Sequence, residues 1–443
     1  MYGIEHKLIA IILSIFTLLQ AYIIRLTVGT YIIPAAIFSL AWFLYTIFPL
    51  VILFNAPINC FSILYIYLCV TAFSLSALPF NWKYAFRKNK IRKSIYDPNL
   101  NSIFIRSCLY IAIVLSIIFS TLTMVINDWD LESIFFNLLE TSGRFAASRG
   151  NLGMEYGIIG ILSIFFTYIT PVLGGFVSYS QKTNFRKSIY FLVSLAPAIY
   201  TMIIQSSKVI FVIAISFYLA SILLMKIYNN KLDLFNISYV PRFMVPVLLL
   251  IPPVLISFIS REHNSDLSDL STTVSFLIYS FASYALGQIY AFSDFFSFYI
   301  GMPAFSAYKY DFYSLGSYTF ASVFDSFGFG KTFPPGLYEE TVYFRDVFET
   351  NIFTIFRGLI YDFGGIGSII FIFLFGLVLH AFYYRLLRRQ KSWLSCIVFI
   401  ATIVFIMYTY LMSVFMARYM FLNGLALYII LLVNSNISEN SRT

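Results

Sequence analysis

The feature that most constrains this chain is its series of long apolar runs. An α-helix needs about 20 consecutive apolar residues to cross the hydrocarbon core of a membrane. Eleven such runs lie near residues 7–24, 28–54, 59–79, 106–126, 154–179, 189–206, 209–225, 243–260, 360–384, 393–415 and 419–434. The pattern predicts an all-α polytopic membrane protein with about 11 transmembrane helices, within a range of 10–12.

The composition excludes the main soluble alternatives. Hydrophobic residues make up 60% of the 443 residues and charged residues only 11%, whereas a typical soluble domain has about 45–50% apolar and about 25% charged residues. A water-soluble globule of this size could not bury so much apolar surface. A single soluble enzyme domain, a disordered tail and a secreted disulfide scaffold are therefore excluded, and no nucleic-acid partner is expected.

The charges between the predicted helices indicate an orientation. Together, 17 basic and 2 acidic residues occur in four segments, which are 80–106, 181–188, 226–242 and 385–391. Cytoplasmic loops of membrane proteins carry such an excess of Lys and Arg. We therefore expect these four segments and the C-terminus in the cytoplasm. The N-terminus is expected outside, provided that three helices precede residue 80.

One outward segment, 261–357, is much longer than the others and divides the chain into an N-terminal part (1–260) and a C-terminal part (358–443). Its stretch 274–300 is nearly apolar enough to span the membrane. A span there would move the basic segment 385–391 to the outside, so we expect helices that lie on the membrane or re-enter it. Residues 301–336, rich in Gly, Ser, Tyr and Pro, are expected to fold over the helices.

The potential metal ligands lack metal-site spacing. The three histidines show no H-x-x-x-H pattern, and the four cysteines lie within apolar runs without a C-x-x-C pair. Zinc sites depend on such spacings. The sequence therefore predicts no metal site and no cofactor.

The most specific string in the chain is Asn351-Ile-Phe-Thr-Ile-Phe-Arg357-Gly-Leu-Ile-Tyr-Asp362-Phe-Gly364-Gly365-Ile-Gly367. It resembles the N-x-[FY]-T-x-[FL]-R…D-[FL]-G-x-x-G string at the last large periplasmic loop of Wzy-type oligosaccharide repeat-unit polymerases. The helix opening after Arg149-Gly150 and the Ser206-Ser207-Lys208 turn are also similar to that family. The resemblance covers most of the chain in organisation, but only residues 351–367 in sequence.

The resemblance implies an enzyme that makes O-antigen or capsular polysaccharide at the periplasmic face of the bacterial inner membrane. It implies a GT-C-like fold and metal-independent glycosyl transfer between two undecaprenyl-pyrophosphate-linked glycans. In that reaction a sugar hydroxyl of the acceptor attacks the anomeric carbon of the donor, and lipid pyrophosphate leaves. The implied partners are these lipid-linked glycans, membrane lipid, a chain-length regulator and a flippase.

Such chemistry requires cations for the departing pyrophosphate and a base for the attacking hydroxyl. Arginine suits phosphate because its planar fork gives paired, charge-assisted hydrogen bonds. Charges at the ends of membrane helices are costly and tend to be functional, although each could instead snorkel to the interface. The candidate cations that face outward are Arg149, Lys208, Arg261, Arg345, Arg357 and Arg418.

The candidate bases are the acids of the long outward segment, because a carboxylate can accept the hydroxyl proton. They are Glu339, Glu340 and Asp346, with a solvated surface position as the alternative for each. His263, beside Arg261, is a further candidate at the substrate. Asp362 is a fourth candidate base, for which a structural pair with Arg357 is the favoured alternative.

Two other functions remain open at this stage. A flippase for lipid-linked oligosaccharides usually shows two similar halves and no long outer loop, and no internal repeat occurs here. An O-antigen ligase shares the long outer loop, so the 351–367 string is what favours a polymerase.

Overall fold

The computed structural model describes residues 2–95, 99–127, 129, 132, 136–137, 141–143, 157–234, 248–259, 270–308, 313–329, 338, 340–344, 348–389 and 391–440. Most of these residues are helical. The elements are α1 Ile4–Val28, α2 Pro34–Ile52, α3 Cys60–Leu75, α4 Trp82–Ile95, α5 Ile103–Ile126, α6 Gly157–Tyr179, α7 Asn184–Ile204, α8 Lys208–Tyr228, α9 Ile251–Ile259, α10 Leu270–Phe281, α11 Gln288–Tyr299, α12 Ala321–Ser326, β1 Val342–Phe344, β2 Phe348–Thr350, α13 Ile355–Arg388, α14 Trp393–Tyr408 and α15 Arg418–Asn440.

The prediction of a helical, multi-pass membrane protein is confirmed. Eight helices of the described chain are long and apolar enough to cross a membrane, namely α1, α2, α5, α6, α7, α8, α13 and α15. A ninth candidate is a pair, Thr273–Leu286 and Gln288–Tyr299, bent by 55°. The apolar helices α3 and α14 have only 16 residues each. The predicted run 243–260 corresponds in part to α9, and its residues 243–247 lie outside the described chain.

Close approach between helix backbones explains several glycines of the bundle. A Cβ atom on Gly174 of α6 would lie 2.1 Å from the Ser194 Cβ of α7, and one on Gly376 of α13 would lie 2.4 Å from the Ser76 Oγ. Lipid tails are as apolar as the helix surfaces, so the hydrophobic effect does not drive helices together inside a membrane. Small residues at such crossings instead let the helices approach closely and gain van der Waals contacts. Close packing at these glycines therefore stabilises the bundle, in addition to the packing of larger side chains.

Three of the basic segments meet at one face of the bundle, here called the basic face. The amide of Asn89 in α4 donates to the Ile227 carbonyl at 3.0 Å, which joins segment 80–106 to segment 226–242. The guanidinium of Arg388 lies 5.2 Å from the ring centre of Tyr84, which brings segment 385–391 to the same place. Residues that the topology predicts on one side of a membrane are thus in contact.

Two pairs of helix ends meet at the opposite face. The Ile355 amide at the start of α13 donates to the Thr409 carbonyl after α14 at 2.9 Å. The Lys7 ammonium near the start of α1 donates to the Leu53 carbonyl after α2 at 3.0 Å. The antiparallel order of the helices therefore separates two faces, one of which carries these three basic segments.

The bent helix pair packs against the opposite face along both of its arms. In the first arm, the Ser283 hydroxyl donates to the Glu349 carbonyl of β2. In the second arm, Ser297 Oγ accepts from the Asn59 side chain before α3 at 3.0 Å. Gly287 lies at the bend, where a Cβ atom would approach the Thr350 side chain to 2.8 Å. The bent pair fits either a broken membrane span or a re-entrant helix pair, so the predicted surface or re-entrant position stays a prediction.

Candidate functional site

The first turns of α13 are separated from the rest of that helix by a break at Gly364. This residue has φ 70° and ψ 176°, a conformation that is essentially restricted to glycine. The break frees the Tyr361 and Asp362 carbonyls, which accept from the Ser314 and Leu315 amides at 3.1 and 3.2 Å. The Gly365 amide donates instead to the Tyr299 hydroxyl at 2.9 Å. The break thus connects α13 to the turn that precedes α12.

Arg357 lies in this first part of α13 and is 1% exposed. Its guanidinium is enclosed by five aromatic rings, here called the aromatic cage. The distances from Arg357 Cζ to the ring centres are 3.9 Å for Tyr338, 4.1 Å for Phe353, 5.0 Å for Phe295, 5.1 Å for Tyr308 and 5.4 Å for Tyr361. Aromatic faces attract a guanidinium, and the attraction is stronger when water is excluded.

The hydrogen bonds of Arg357 leave part of its guanidinium open. Its Nη2 atom donates to Glu340 Oε2 at 2.7 Å and to the Tyr361 hydroxyl at 3.2 Å. Its Nε and Nη1 atoms are buried and have no hydrogen-bond partner among the described residues. A buried donor without a partner costs roughly 1–3 kcal/mol, and more when it is charged. An anion that reaches these two atoms would therefore be bound strongly.

Glu340 is the counter-ion of Arg357 and is the more exposed residue of this ion pair. The Glu340 side chain is 18% exposed. It immediately precedes the β1–β2 hairpin, in which Val342 pairs with Thr350 and Phe344 with Phe348. A carboxylate that touches solvent on one side and a buried guanidinium on the other can exchange its partner for a ligand.

The prediction of an ion pair between Arg357 and Asp362 was wrong. Asp362 is fully buried, and its Oδ1 accepts from the Ser314 hydroxyl and the Tyr318 amide at 2.6 and 2.9 Å. Its Oδ2 accepts from the Thr319 amide and hydroxyl at 2.7 and 2.6 Å. Residues five apart point about 140° away from each other on a helix with about 3.6 residues per turn. The two side chains therefore act on different sides of α13.

Asp362 stabilises a strained turn. Tyr313 and Leu315 have positive φ angles of 65° and 52°, and each such residue costs on the order of 1–3 kcal/mol. The four hydrogen bonds to the Asp362 carboxylate offset this strain. The Tyr313 ring packs on Gly364, where a Cβ atom would lie 3.2 Å from it.

Three tyrosine rings, here called the tyrosine stack, join this turn to the aromatic cage. The ring centre of Tyr318 lies 5.0 Å from that of Tyr361 and 6.3 Å from that of Tyr338, and both pairs are nearly parallel. A Cβ atom on Gly358 would lie 3.3 Å from the Tyr338 hydroxyl, so a larger residue there would push Tyr338 outward by a few tenths of an ångström. Burial raises the pKa of Tyr338 above its usual range, which keeps its hydroxyl protonated beside the guanidinium.

A second buried carboxylate, that of Asp294, holds one ring of the aromatic cage in place. Asp294 in α11 accepts from the Tyr308 hydroxyl at 2.8 Å and from the Phe305 amide at 2.6 Å. Burial and the neighbouring Asp294 raise the pKa of Tyr308. Tyr308 is thereby fixed as a neutral hydrogen-bond donor against one wall of the cage.

Two other predicted cations lie on the opposite face but contact other groups. The Lys208 ammonium lies 3.9 Å from the ring centre of Phe258 and 4.5 Å from that of Tyr284. Arg418 forms an exposed ion pair with Asp325. Lys208 thus has an aromatic environment of its own, whereas Arg418 sits at the surface.

The remaining predicted site residues lie outside the described chain. They are Arg149, Arg261, His263, Glu339, Arg345 and Asp346. Within the described residues, no three His, Cys, Asp or Glu side chains come together as a group that could hold a metal ion.

None of the five rings of the aromatic cage was among the predicted site residues. Phe295, Tyr308 and Tyr338 lie far from Arg357 in the sequence, and aromatic residues make up 20% of the chain. A cage ring therefore cannot be distinguished from the many other aromatic residues. Tyr361 and Phe353 belong to the 351–367 string, which is the only signal that could have found them.

The chain stands apart in comparisons with known proteins. No protein-family model, no curated protein and no solved structure matches it.

Proposed function

We propose that this protein is a glycosyltransferase that polymerises undecaprenyl-pyrophosphate-linked repeat units into O-antigen or capsular polysaccharide. The observation that carries the proposal is the buried Arg357 guanidinium, which has two open donors and lies at the start of a membrane helix. The 351–367 string supports the same function. The proposal includes a GT-C-like fold with about 11 membrane spans, in a bacterial inner membrane with the opposite face toward the periplasm.

The environment of Arg357 suits a departing pyrophosphate. Negative charge that develops on a leaving group is stabilised best by fixed donors in a site from which water is excluded. The five rings exclude water around the guanidinium, and its buried Nε and Nη1 atoms are two donors without a hydrogen-bond partner among the described residues. Arginine can bind phosphate oxygens through two parallel hydrogen bonds.

Glu340 is the base in this proposal. When the donor pyrophosphate binds to Arg357, it replaces Glu340 as the anionic partner of the guanidinium. The Glu340 carboxylate then accepts the proton of the acceptor hydroxyl, whose oxygen forms a bond to the anomeric carbon. The bond between that carbon and the phosphate oxygen breaks, and lipid pyrophosphate leaves with the electron pair.

The other candidate cations fit a reaction with two charged lipids. Donor and acceptor each carry a pyrophosphate, so one guanidinium is not enough for both. Lys208, between two aromatic rings on the same face as Arg357, is the described candidate for the second lipid. Arg149, Arg261, Arg345 and Arg418 with His263 are retained as substrate-binding candidates, and Glu339 and Asp346 as further acids. A chain-length regulator and a flippase are the expected protein partners.

The test is deletion of the gene in its native host, followed by electrophoresis of the surface lipopolysaccharide or capsule. A polymerase predicts that the ladder collapses to a core with one repeat unit, because export and ligation continue. Loss of even the single repeat, with accumulation of lipid-linked glycan, would instead identify a flippase or a ligase.

Complementation then connects the phenotype to the site. A plasmid with Arg357→Ala should fail to restore the ladder, whereas Arg388→Ala, an exposed arginine of the basic face, should restore it. Immunoblots of the membrane fraction should show equal amounts of both proteins. A full ladder with Arg357→Ala contradicts the proposal.

A further inference from the structure

The surface beside the aromatic cage has the character of a binding site for sugar rings. The Tyr361 ring forms one wall of the aromatic cage, and its hydroxyl accepts a hydrogen bond from Arg357. The same ring stacks on Tyr318. The same side chain therefore forms a wall of the anion site and the inner end of the tyrosine stack. The tyrosine stack therefore adjoins the guanidinium directly.

The strained turn, which directly precedes Tyr318 of the stack in the chain, presents large side chains at the surface. Tyr313 is 72% exposed and Leu315 is 74% exposed, although both have backbone angles that side chains rarely adopt. Asp362 holds this conformation through bonds to Ser314, Tyr318 and Thr319. Strain that is maintained by a buried carboxylate and that exposes a tyrosine is typical of ligand-binding segments.

The turn also contains a polar group without a partner. Ser317 is 5% exposed, and its hydroxyl has no hydrogen-bond partner among the described residues. Binding sites for small molecules combine aromatic walls with a few polar groups of this kind. Sugar rings present C–H groups on their faces and hydroxyls at their edges, which match an aromatic wall and a serine hydroxyl.

We infer that the strained turn and the tyrosine stack bind a sugar ring of the glycan whose pyrophosphate lies at Arg357. The sugar face packs on Tyr313 and on the edge of Tyr318, and one sugar hydroxyl binds Ser317. This inference rests on the proposed function, and it deepens it by assigning the residues that contact the carbohydrate. The ligand class is a sugar joined to a lipid through pyrophosphate.

The test measures the two halves of the ligand separately on the full-length protein in lipid nanodiscs. The probes are the repeat-unit oligosaccharide, released by mild acid from the surface polysaccharide of the host, and inorganic pyrophosphate. Saturation-transfer NMR measures the oligosaccharide, and phosphorus line broadening measures pyrophosphate. Tyr313→Ala should weaken oligosaccharide binding about fivefold, which corresponds to the roughly 1 kcal/mol contributed by one aromatic contact, and should leave pyrophosphate binding unchanged.

Three further variants control the experiment. Tyr343→Ala removes another exposed tyrosine, on β1, and should change neither probe. Ser317→Ala should weaken the oligosaccharide alone, which gives a second readout if Tyr313→Ala folds poorly. Tyr313→Trp should keep the binding, because it keeps an aromatic face.

Several outcomes would overturn the inference. Unchanged oligosaccharide binding in Tyr313→Ala and Ser317→Ala would do so, as would absence of oligosaccharide binding to the wild-type protein. Quenching of the Tyr313→Trp fluorescence by brominated acyl chains would identify membrane lipid as the occupant. The proposed function is judged separately, by the ladder of the deletion strain and by loss of pyrophosphate binding in Arg357→Ala.

Discussion

At the level of single residues, the surroundings of Arg357 require the shape of its side chain as well as its charge. A planar guanidinium can lie between ring faces and still donate to Glu340 and Tyr361. A lysine ammonium is a compact, strongly hydrated charge on a flexible stem. It would have to give up either its hydration or its contacts with the rings.

We therefore expect Arg357→Lys to be nearly as inactive as Arg357→Ala, with a loss of about 100-fold or more, as for removal of one donor to a developing charge. The measurement is the length of the surface polysaccharide made by complemented deletion cells. Glu340→Gln should also be inactive but should still bind pyrophosphate, because it removes the base and the competing counter-ion and leaves the Arg357 guanidinium in place. Normal polymer length in Arg357→Lys would show that charge alone suffices.

Asp362 should contribute to stability through its four hydrogen bonds. Asp362→Asn turns one acceptor atom into an amide that faces two donors, so about two charge-assisted bonds are lost at roughly 1.5–3 kcal/mol each. We expect a free energy of unfolding lower by about 3 kcal/mol, measured by chemical unfolding in detergent micelles. Asp325→Asn, which breaks only the exposed pair with Arg418, should change it by about 0–1 kcal/mol. Equal effects of the two variants would argue against the structural role of Asp362.

The sequence predicted the two charged residues of the site but not their surroundings. Arg357 and Glu340 could be found because charged residues are scarce in this chain, and an arginine at a helix end requires an explanation. The position of Asp362 five residues later suggested a pair, yet the helical rotation directs it elsewhere. The cage depends on contacts between distant segments, which no local pattern encodes.

At the level of elements, the glycines of the 351–367 string determine the structure at the start of α13. Gly358 admits Tyr338 and Tyr318 against the helix, Gly364 breaks the helix, and Gly365 admits Tyr299 at 3.0 Å from an added Cβ. The glycines of the string are thus explained by backbone geometry rather than by direct contact with a ligand. The resemblance on which the functional proposal rests contains both the site residue and its scaffold.

The break at Gly364 should be essential to the site. Gly364→Ala places a Cβ atom in a conformation restricted to glycine, so the helix should straighten or the turn should lose its bonds to the Tyr361 and Asp362 carbonyls. We expect loss of the polysaccharide ladder and increased protease sensitivity of the turn at 313–319. Gly328→Ala is the matched control, because Gly328 also has a positive φ angle, of 75°, but no neighbour within 4 Å of an added Cβ. An active Gly364→Ala protein would show that the break is dispensable.

At the level of the whole molecule, the membrane class followed directly from the sequence, because long apolar runs have few alternative folds. The helix bounds were harder to predict, since a run of apolar residues does not show at which residue a helix ends inside the membrane. The basic face arises from contacts between segments such as α4 and the end of α8. These contacts agree with the charge pattern from which the orientation was predicted.

The orientation can be tested by cysteine labelling in intact cells. Leu315→Cys and Lys88→Cys place thiols at exposed positions on the opposite and basic faces. A membrane-impermeant maleimide should label the first in whole cells with a permeable outer membrane, and the second only after the inner membrane is disrupted. The native cysteines are buried, apart from the partly buried Cys108, so the wild-type protein provides the background. The reverse pattern would invert the membrane orientation and exclude a periplasmic site.

The short helices α3 and α14 have a consequence for the bilayer itself. At about 1.5 Å per residue, 16 residues span about 24 Å, which is less than the hydrocarbon thickness of about 30 Å. Arg357 lies beside the outer end of α14, where the Ile355 amide binds the Thr409 carbonyl. Because α14 is mostly buried whereas α3 exposes Phe61, Leu68 and Leu75, hydrophobic mismatch at α3 would thin the surrounding lipid. Phosphate headgroups would then sink toward the guanidinium, and activity in reconstituted vesicles should fall as the acyl chains of the lipid are lengthened.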